Sequence, residues 1–179
     1  LGANGGDAAA TVKAAWRPDV IAVELPPTLQ EWIVRGVMRL PRLSAVCWQE
    51  PETQGELSWL PIDPCDGLIE AVRLACAHAI PLEFIDLDLP GHQEPHMPVP
   101  DDLIIDKTGL DPYVENLAPY LGSRENDTRA LARECAMARR LQELSKTHGR
   151  VLCVVGMAHW LRVRELVDQT RIADPRQLA

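Results

Sequence analysis

The feature that most constrains the fold is an apolar run near the end of the chain that leads into a glycine and then a helix. Residues 151–155 read VLCVV, and this β-branched composition is typical of a buried strand. Gly156 ends the run, and residues 160–168 mix apolar and charged positions as a helix does. His159 therefore lies where a strand passes into a helix. In a parallel sheet this edge commonly binds ligands, although a histidine there can also simply cap the helix or pack.

Other apolar runs predict the rest of the sheet. Strands are predicted at residues 20–23, 43–48 and 82–87, and the polar stretch 49–64 is predicted to be a loop. Helices are predicted at residues 7–16, 28–40, 63–79, 111–121 and 127–147, the third with Asp63 as its N-cap. Strands that alternate with helices favour an α/β fold. We expect residues 1–179 to form a single α/β domain with a mainly parallel central sheet and helices on both faces.

The charge and hydropathy of the chain exclude several partners. The chain has 179 residues, 46% of them hydrophobic, which suffices for one domain with its own core. The net charge of −8 argues against nucleic acid or an anionic membrane as a partner. No apolar run approaches the roughly 20 residues that a membrane-spanning helix needs. The chain begins with Leu1 instead of methionine, which is compatible with a piece cut from a longer chain.

The five cysteines indicate a reducing compartment. They lack CxxC spacing, their number is odd, and Cys47, Cys76, Cys135 and Cys153 lie in apolar runs. We interpret these four as buried free thiols. This interpretation predicts a cytoplasmic protein and argues against a zinc site built from cysteines.

Three of the predicted strands lead into a polar residue. Glu24 follows the first strand, Asp86 lies near the end of another, and His159 comes just after the last. Because parallel strands place their carboxyl ends at one edge, we expect these side chains to lie close together. Each alone could be a helix cap or a solvated loop residue. Glu24 stands between two apolar residues and precedes two prolines, so it is also a candidate metal ligand or general base held near the core.

The helix predicted at residues 127–147 adds two candidates. At about 100° per residue, its apolar side chains cover roughly half of the circumference, and Glu134 falls near the middle of that half. Arg133 lies at the edge of the same arc. A glutamate that faces a core is costly unless it is paired or binds a ligand. Two interpretations follow, a structural ion pair between Arg133 and Glu134 or a role in a functional site.

The segment 89–102 is rich in proline and histidine. His92 and His96 have a spacing that binds metal well on a helix, but the surrounding prolines predict a loop. We favour a solvated or lid-like loop over a metal pair at this position.

Four segments follow one another in an order that matches a known group of proteins. They read RPDVIAVEL at 17–25, FID at 84–86, LARECAMA at 131–138 and VVGMAH at 154–159. Together they resemble the TraB/PrgY/Tiki group, which is related to the erythromycin-esterase and ChaN-like proteins. The resemblance spans nearly the whole chain. It implies an α/β fold with a site at the carboxyl ends of the strands.

The resemblance also implies an activity. Tiki-like members are described as metal-dependent proteases, the esterase branch as hydrolases, and ChaN-like members as haem or iron binders. Carried over by position, Glu24, Arg133 and His159 would be site residues, with Asp86 and Glu134 nearby.

The chain departs from the group at two positions. Residues 2–5 read GANG where the group has a first Gly-x-x-His, and Leu87 replaces the arginine of the group's "iDR" strand end. A metal site with two histidines is therefore incomplete unless His92, His96 or an acid substitutes.

These residues, together with what the resemblance implies, lead us to expect a metal-dependent hydrolase of peptidase or esterase type that acts on a small-molecule or peptide substrate. Glu24, Asp86 and His159 would bind a divalent metal ion, which would lower the pKa of a bound water. Arg133 would stabilise developing negative charge, and Glu134 would orient Arg133 or act as the base. The alternative is a non-catalytic ligand-, iron- or haem-binding module on the same scaffold, with His159 or a loop histidine as the axial ligand of haem.

Overall fold

A computed structural model describes residues 17–49, 57–89, 102–121 and 127–178 of the chain. The strands are β1 (Val20–Val23), β2 (Ser44–Gln49), β3 (Leu57–Ile62), β4 (Leu82–Phe84) and β5 (Val151–Val154). The helices are α1 (Gln30–Val37), α2 (Gly67–Ala77), α3 (Ile105–Thr108), α4 (Leu110–Leu121), α5 (Thr128–Thr147) and α6 (Met157–Val167). None of these helices is both long and apolar enough to cross a membrane. The helix predicted at residues 7–16, and the loop histidines His92 and His96, lie outside the described residues.

Strands β4, β1 and β5 form a parallel sheet in that order. The register pairs Val23 of β1 with Phe84 on one side and with Val154 on the other, so the three strands end level. The chain is therefore a mixed α/β protein, as the sequence predicts. The residues that follow these strands meet at one edge of the sheet.

Both faces of this sheet are covered, which explains why β1 is apolar throughout. Ile21 and Val23 pack into a core with α1 and α2, whereas Val20 and Ala22 pack against α5 and α6. None of the four is more than 2% exposed. A strand between two cores has no side that faces solvent, so its sequence is a continuous apolar run and does not alternate.

Strands β2 and β3 form a separate two-stranded antiparallel ribbon. The prediction that residues 49–64 are a loop is wrong, because this stretch contains β3, and the strand predicted at residues 43–48 does not join the parallel sheet. Exposure alternates along both strands, as expected of a ribbon with one face toward solvent. Pro61 lies within β3, and a proline inside an apolar run argues against a strand at the level of sequence. It is tolerated because both strands of a two-stranded ribbon are edges.

Helix α2 begins later than predicted. Asp66, and not Asp63, is its N-cap, because the Asp66 side chain accepts hydrogen bonds from the N–H groups of Leu68 (2.8 Å) and Ile69 (3.0 Å). Asp63 instead accepts the N–H of Cys65 (2.9 Å) in the preceding turn. Both aspartates match the pattern of a helix start, and only the path of the backbone distinguishes them.

The cysteines are free thiols, as predicted, but not all four predicted ones are buried. Cys135 is buried, whereas Cys47 is exposed. The alternation along β2 explains the difference, because it turns Cys47 away from the half-buried side of the ribbon.

Helix α1 and the ribbon approach each other closely at Gly36. A Cβ atom at this position would lie 2.7 Å from Cγ1 of Ile62, a residue that is 1% exposed. The neighbouring core leaves Ile62 little room to move aside. The lack of a side chain at Gly36 therefore sets the distance between α1 and the ribbon.

We predict that Gly36→Ala lowers the free energy of unfolding by about 1 kcal/mol. Overpacking of a core costs about 1–3 kcal/mol, and the better helix propensity of alanine offsets up to about 1 kcal/mol of this. Urea denaturation measures the change. Gly67→Ala is the matched control, because no atom lies within 4 Å of the added Cβ in α2. Equal midpoints for the two variants would contradict the close packing.

Candidate functional site

Glu24 lies at the end of β1 and is held in place by hydrogen bonds to the backbone. Its N–H donates to the carbonyl of Val154 (3.0 Å), so the residue continues the pairing of β1 with β5. Its Oε2 accepts a hydrogen bond from the N–H of Gly156, and its Oε1 accepts one from Nη2 of Arg133 (2.7 Å). A Cβ atom on Gly156 would lie 3.1 Å from Oε2, so a glycine there allows the close approach.

Asp86 reaches the same edge just after β4. Its N–H donates to the carbonyl of Leu25 (3.1 Å), and its Oδ1 accepts the N–H of Leu87 (2.8 Å). Nε of Arg133 lies 3.0 Å from both carboxylate oxygens, and Nη2 lies 2.7 Å from Oδ2. Two-point pairing of this kind is stronger and more directional than a single charged hydrogen bond. The strand itself ends at Phe84, short of the predicted end at residue 87.

Arg133 bridges the two carboxylates. It projects from α5 and is 5% exposed, and its Nη2 lies 2.7 Å from an oxygen of Glu24 and 2.7 Å from an oxygen of Asp86. Two partly desolvated carboxylates at one edge repel each other unless a cation lies between them. The guanidinium group supplies that cation.

His159 and Glu134 form a second pair behind Glu24. Nδ1 of His159 lies 2.9 Å from Oε1 of Glu134, and each residue is only 1% exposed. A carboxylate partner favours a proton on Nδ1 and fixes the orientation of the ring. Nε2 then lies 3.5 Å from Oε1 of Glu24 and 3.4 Å from Nη1 of Arg133. The imidazole therefore connects Glu134 to the carboxylate at the edge.

Arg162 extends this network, although it is not among the site residues predicted from the sequence. Its Nη1 donates to Oε2 of Glu134 (3.0 Å). Arg162 follows His159 by three residues on α6, and residues at this spacing share a helix face. That spacing is the signal by which the sequence could have indicated it.

All five residues that the sequence predicts as site residues belong to this one network. Arg133 pairs with Glu24 and Asp86, whereas Glu134 pairs with His159. Consecutive helix positions differ by about 100°, so the two side chains leave α5 in different directions. The 2.9 Å contact with Nδ1 of His159 places Glu134 to orient this imidazole ring.

A cleft of about 1090 Å³ opens onto this network. Glu24, Asp86 and Arg133 line it at the sheet edge, and α1, the ribbon and the segment after β4 form its other walls. His159 and Glu134 do not line it. The network thus has two layers, three charged residues that a molecule in the cleft can contact and a sealed pair behind them.

Burial shapes the ionisation of the edge. Desolvation raises the pKa of Glu24 above its usual value of 4.5, against the opposing effects of His159, the Gly156 N–H and Arg133. Burial, assisted by the nearby charge of Glu24, raises the pKa of Cys153 to about 12. Cys153 therefore stays a thiol at neutral pH and is not a nucleophile. Glu24 is the group whose pKa is displaced toward neutrality.

The described residues do not fit a divalent ion at this edge. Both oxygens of Asp86 and Oε1 of Glu24 lie within 3.0 Å of Arg133 nitrogens, and Nδ1 of His159 is bound to Glu134. Across the part of the chain that the structure describes, no group of three or more His, Cys, Asp or Glu side chains could hold a metal ion. The assignment of Glu24, Asp86 and His159 as metal ligands stays a prediction.

Functional inference for this protein rests on the network of charged residues, because comparison with known proteins found no match. No protein-family model, curated protein or solved structure matches this chain. The resemblance to the TraB/PrgY/Tiki group therefore stays a prediction based on the four sequence segments.

We predict that the raised pKa of Glu24 makes the protein less stable as the pH rises. Between the unfolded pKa, about 4.5, and the higher folded value, the folded state binds more protons than the unfolded state, so the free energy of unfolding falls with pH. Glu24→Gln removes this component. Urea denaturation across this pH range should show wild type losing stability relative to the variant.

The exposed Glu143 supplies the control for this titration. Glu143→Gln makes the same substitution at a side chain that is 58% exposed and lies outside the site network, so a change that both variants share would not be assigned to Glu24. If wild type instead gains stability relative to Glu24→Gln as the pH rises, the folded pKa of Glu24 is lowered and the assignment is wrong.

We predict that Gly156→Ala perturbs Glu24 specifically. The added Cβ would press on Oε2 from 3.1 Å, so the carboxylate must shift by a few tenths of an ångström. The expected cost is about 1 kcal/mol of unfolding free energy, and it should largely vanish in a Glu24→Ala background. Gly149→Ala is the matched control, because its Cβ would meet the partly exposed Asp19 carboxylate at 3.3 Å, which can move into solvent. Equal costs in both backgrounds would rule out this contact.

Proposed function

We propose that the protein is a hydrolase of esters or peptides, with Glu24 as the proton-transfer residue and Arg133 as the group that stabilises negative charge. One observation carries this proposal. Glu24 and Arg133 line the end of a large cleft, and the sealed His159–Glu134 pair stands directly behind Glu24.

The proposed reaction uses Glu24 first as a base and then as an acid. Ionised Glu24 takes a proton from a water molecule in the cleft, and the water oxygen attacks the carbonyl carbon of the substrate. The carbonyl oxygen gains the negative charge, which the guanidinium of Arg133 stabilises electrostatically. Glu24 then gives the proton to the leaving alcohol or amine, and the carbonyl bond re-forms. A pKa displaced toward neutrality suits a group that must both accept and donate a proton.

His159 acts in this proposal as a positioning residue, since it does not line the cleft. Its ring is fixed by Glu134, and its Nε2 lies 3.5 Å from Oε1 of Glu24. Arg162 in turn holds the second oxygen of Glu134. The series of contacts from Arg162 through Glu134 to His159 sets the orientation of the imidazole and the electrostatic field at Glu24.

The proposed reaction uses Glu24 and Arg133 and needs no metal ion. Arg133 already neutralises the two carboxylates that would hold the ion. His159 is likewise behind the cleft wall, which does not suit an axial ligand for haem bound in the cleft. Dependence on a divalent ion is therefore the alternative that treatment with EDTA tests.

We predict hydrolysis of p-nitrophenyl esters or of fluorogenic peptide amides by wild type, with kcat/KM unaffected by EDTA. Glu24→Gln should lower kcat/KM roughly 100- to 10,000-fold, because it removes the proton-transfer group. Arg133→Lys should lower kcat by roughly 100-fold, because it loses the two-point geometry. His159→Gln should shift the acidic limb of the pH profile of kcat as well as lower its maximum, which a merely structural role would not do.

The exposed variant Glu143→Gln is again the control and should keep wild-type rates, and circular dichroism checks that every variant is folded. Loss of activity in EDTA with recovery on adding Zn²⁺ would support the metal-dependent alternative against the Arg133 mechanism. Failure of wild type to cleave any ester or peptide above the buffer rate would overturn the hydrolase proposal.

A further inference from the structure

Beyond its charged end, the cleft is lined mainly by apolar side chains. Leu29 precedes α1, Val46 and Leu60 come from the facing strands of the ribbon, and Leu68 comes from α2. Trp32 of α1 also lines the cleft and is 54% exposed. An exposed tryptophan beside an apolar cleft is typical of a binding surface.

Among the described residues that line the cleft, the charged side chains balance one another. Three carboxylates and three guanidinium groups contribute, namely Glu24, Asp86, Asp88, Arg35, Arg39 and Arg133. Several are also paired: Arg133 with two of these carboxylates, Arg35 with Glu31 at 2.6 Å. These described residues give the cleft no net charge that would favour an ion, and a charged ligand would lose its hydration on entry.

The size of the cleft can accommodate a small molecule. Its volume of about 1090 Å³ lies just above the usual range of small-molecule sites, about 300–1,000 Å³. Glu24, Asp86 and Arg133 lie together at the sheet edge, whereas Leu29, Val46, Leu60 and Leu68 contribute apolar lining elsewhere in the cleft. This layout fits a molecule with a carbonyl at one end and an apolar body.

We propose that the cleft binds an uncharged ester or amide whose apolar body lies between α1 and the ribbon and whose carbonyl group meets Arg133. This inference rests on the proposed function, because it names the substrate class of the same site. Binding of the apolar body is nevertheless a property that can be measured without hydrolysis.

The binding test compares three eight-carbon molecules that differ in charge, with 2-butanone as a shorter uncharged control. 2-Octanone carries a carbonyl group but no leaving group, so it cannot be hydrolysed, and octanoate and octylammonium are its anionic and cationic counterparts. Calorimetry should give an affinity for 2-octanone at least tenfold higher than for either ion or for 2-butanone. Equal affinity for octanoate or octylammonium overturns the assignment of an uncharged ligand.

Two pairs of variants locate the binding site. Trp32→Ala should weaken 2-octanone binding about tenfold, whereas Trp59→Ala should leave it within twofold, because Trp59 is 65% exposed but does not line the cleft. Met38→Asp places a charge on the cleft wall and should also weaken binding, whereas Leu57→Asp makes the same change outside the cleft. All four positions are exposed, so these variants are expected to fold. Equal effects within each pair overturn the proposal.

The remaining outcomes separate this inference from the proposed function. In wild type, kcat/KM should rise from p-nitrophenyl acetate to butyrate to octanoate, and Trp32→Ala should flatten that rise. Binding of 2-octanone without hydrolysis of any ester supports the ligand class and overturns the hydrolase. Hydrolysis without dependence on chain length overturns the ligand class alone.

If Trp32→Ala and Met38→Asp change self-association in sedimentation and leave 2-octanone binding unchanged, the cleft is an interface between two copies and the inference is wrong.

Discussion

The ion pair that Arg133 makes with Glu24 and Asp86 is the interaction on which the rest of the site depends. Two strands bring carboxylates to one buried edge, and a helix on one face of the sheet supplies the cation between them. Removing one partner of a buried ion pair typically costs about 3–5 kcal/mol, because the other charge is left without compensation. Arg133 therefore joins α5 to the residues that follow β1 and β4. Because it already contacts both carboxylates, it also limits the binding of another cation at this edge.

The two layers of the network explain how a mostly buried cluster is still reached from the cleft. Glu24, Asp86 and Arg133 line the cleft, whereas His159 and Glu134 are sealed behind them. The inner pair lies in a low-dielectric environment, so its orientation and charge act strongly on Glu24 across 3.5 Å. The cleft itself depends on a different part of the chain, because α1 and the ribbon form its apolar walls.

The sequence predicts which polar residues meet at the carboxyl edge better than it predicts how they pair. Glu24, Asp86 and His159 could be recognised because each follows an apolar run, and parallel strands gather such residues at one edge. Glu134 could be recognised because a charge in an apolar helical arc needs a partner. That this partner is His159 depends on how α5 packs against α6, which no local pattern contains. By sequence, Asp63 and Asp66 are equally good N-caps, and only the path of the backbone makes Asp66 the N-cap.

What the sequence determined by itself is the parallel sheet and the identity of the polar residues at its carboxyl edge. Continuous apolar runs such as β1 are a local signal, because a strand buried on both faces leaves no position for a polar side chain. Only the tertiary structure decided that residues 57–62 form a strand, that this strand packs on α1 at Gly36, and that a cleft results. Those features depend on contacts between different segments of the chain. There the packing, including the lack of a side chain at Gly36, outweighs the local conformational preference of the residues.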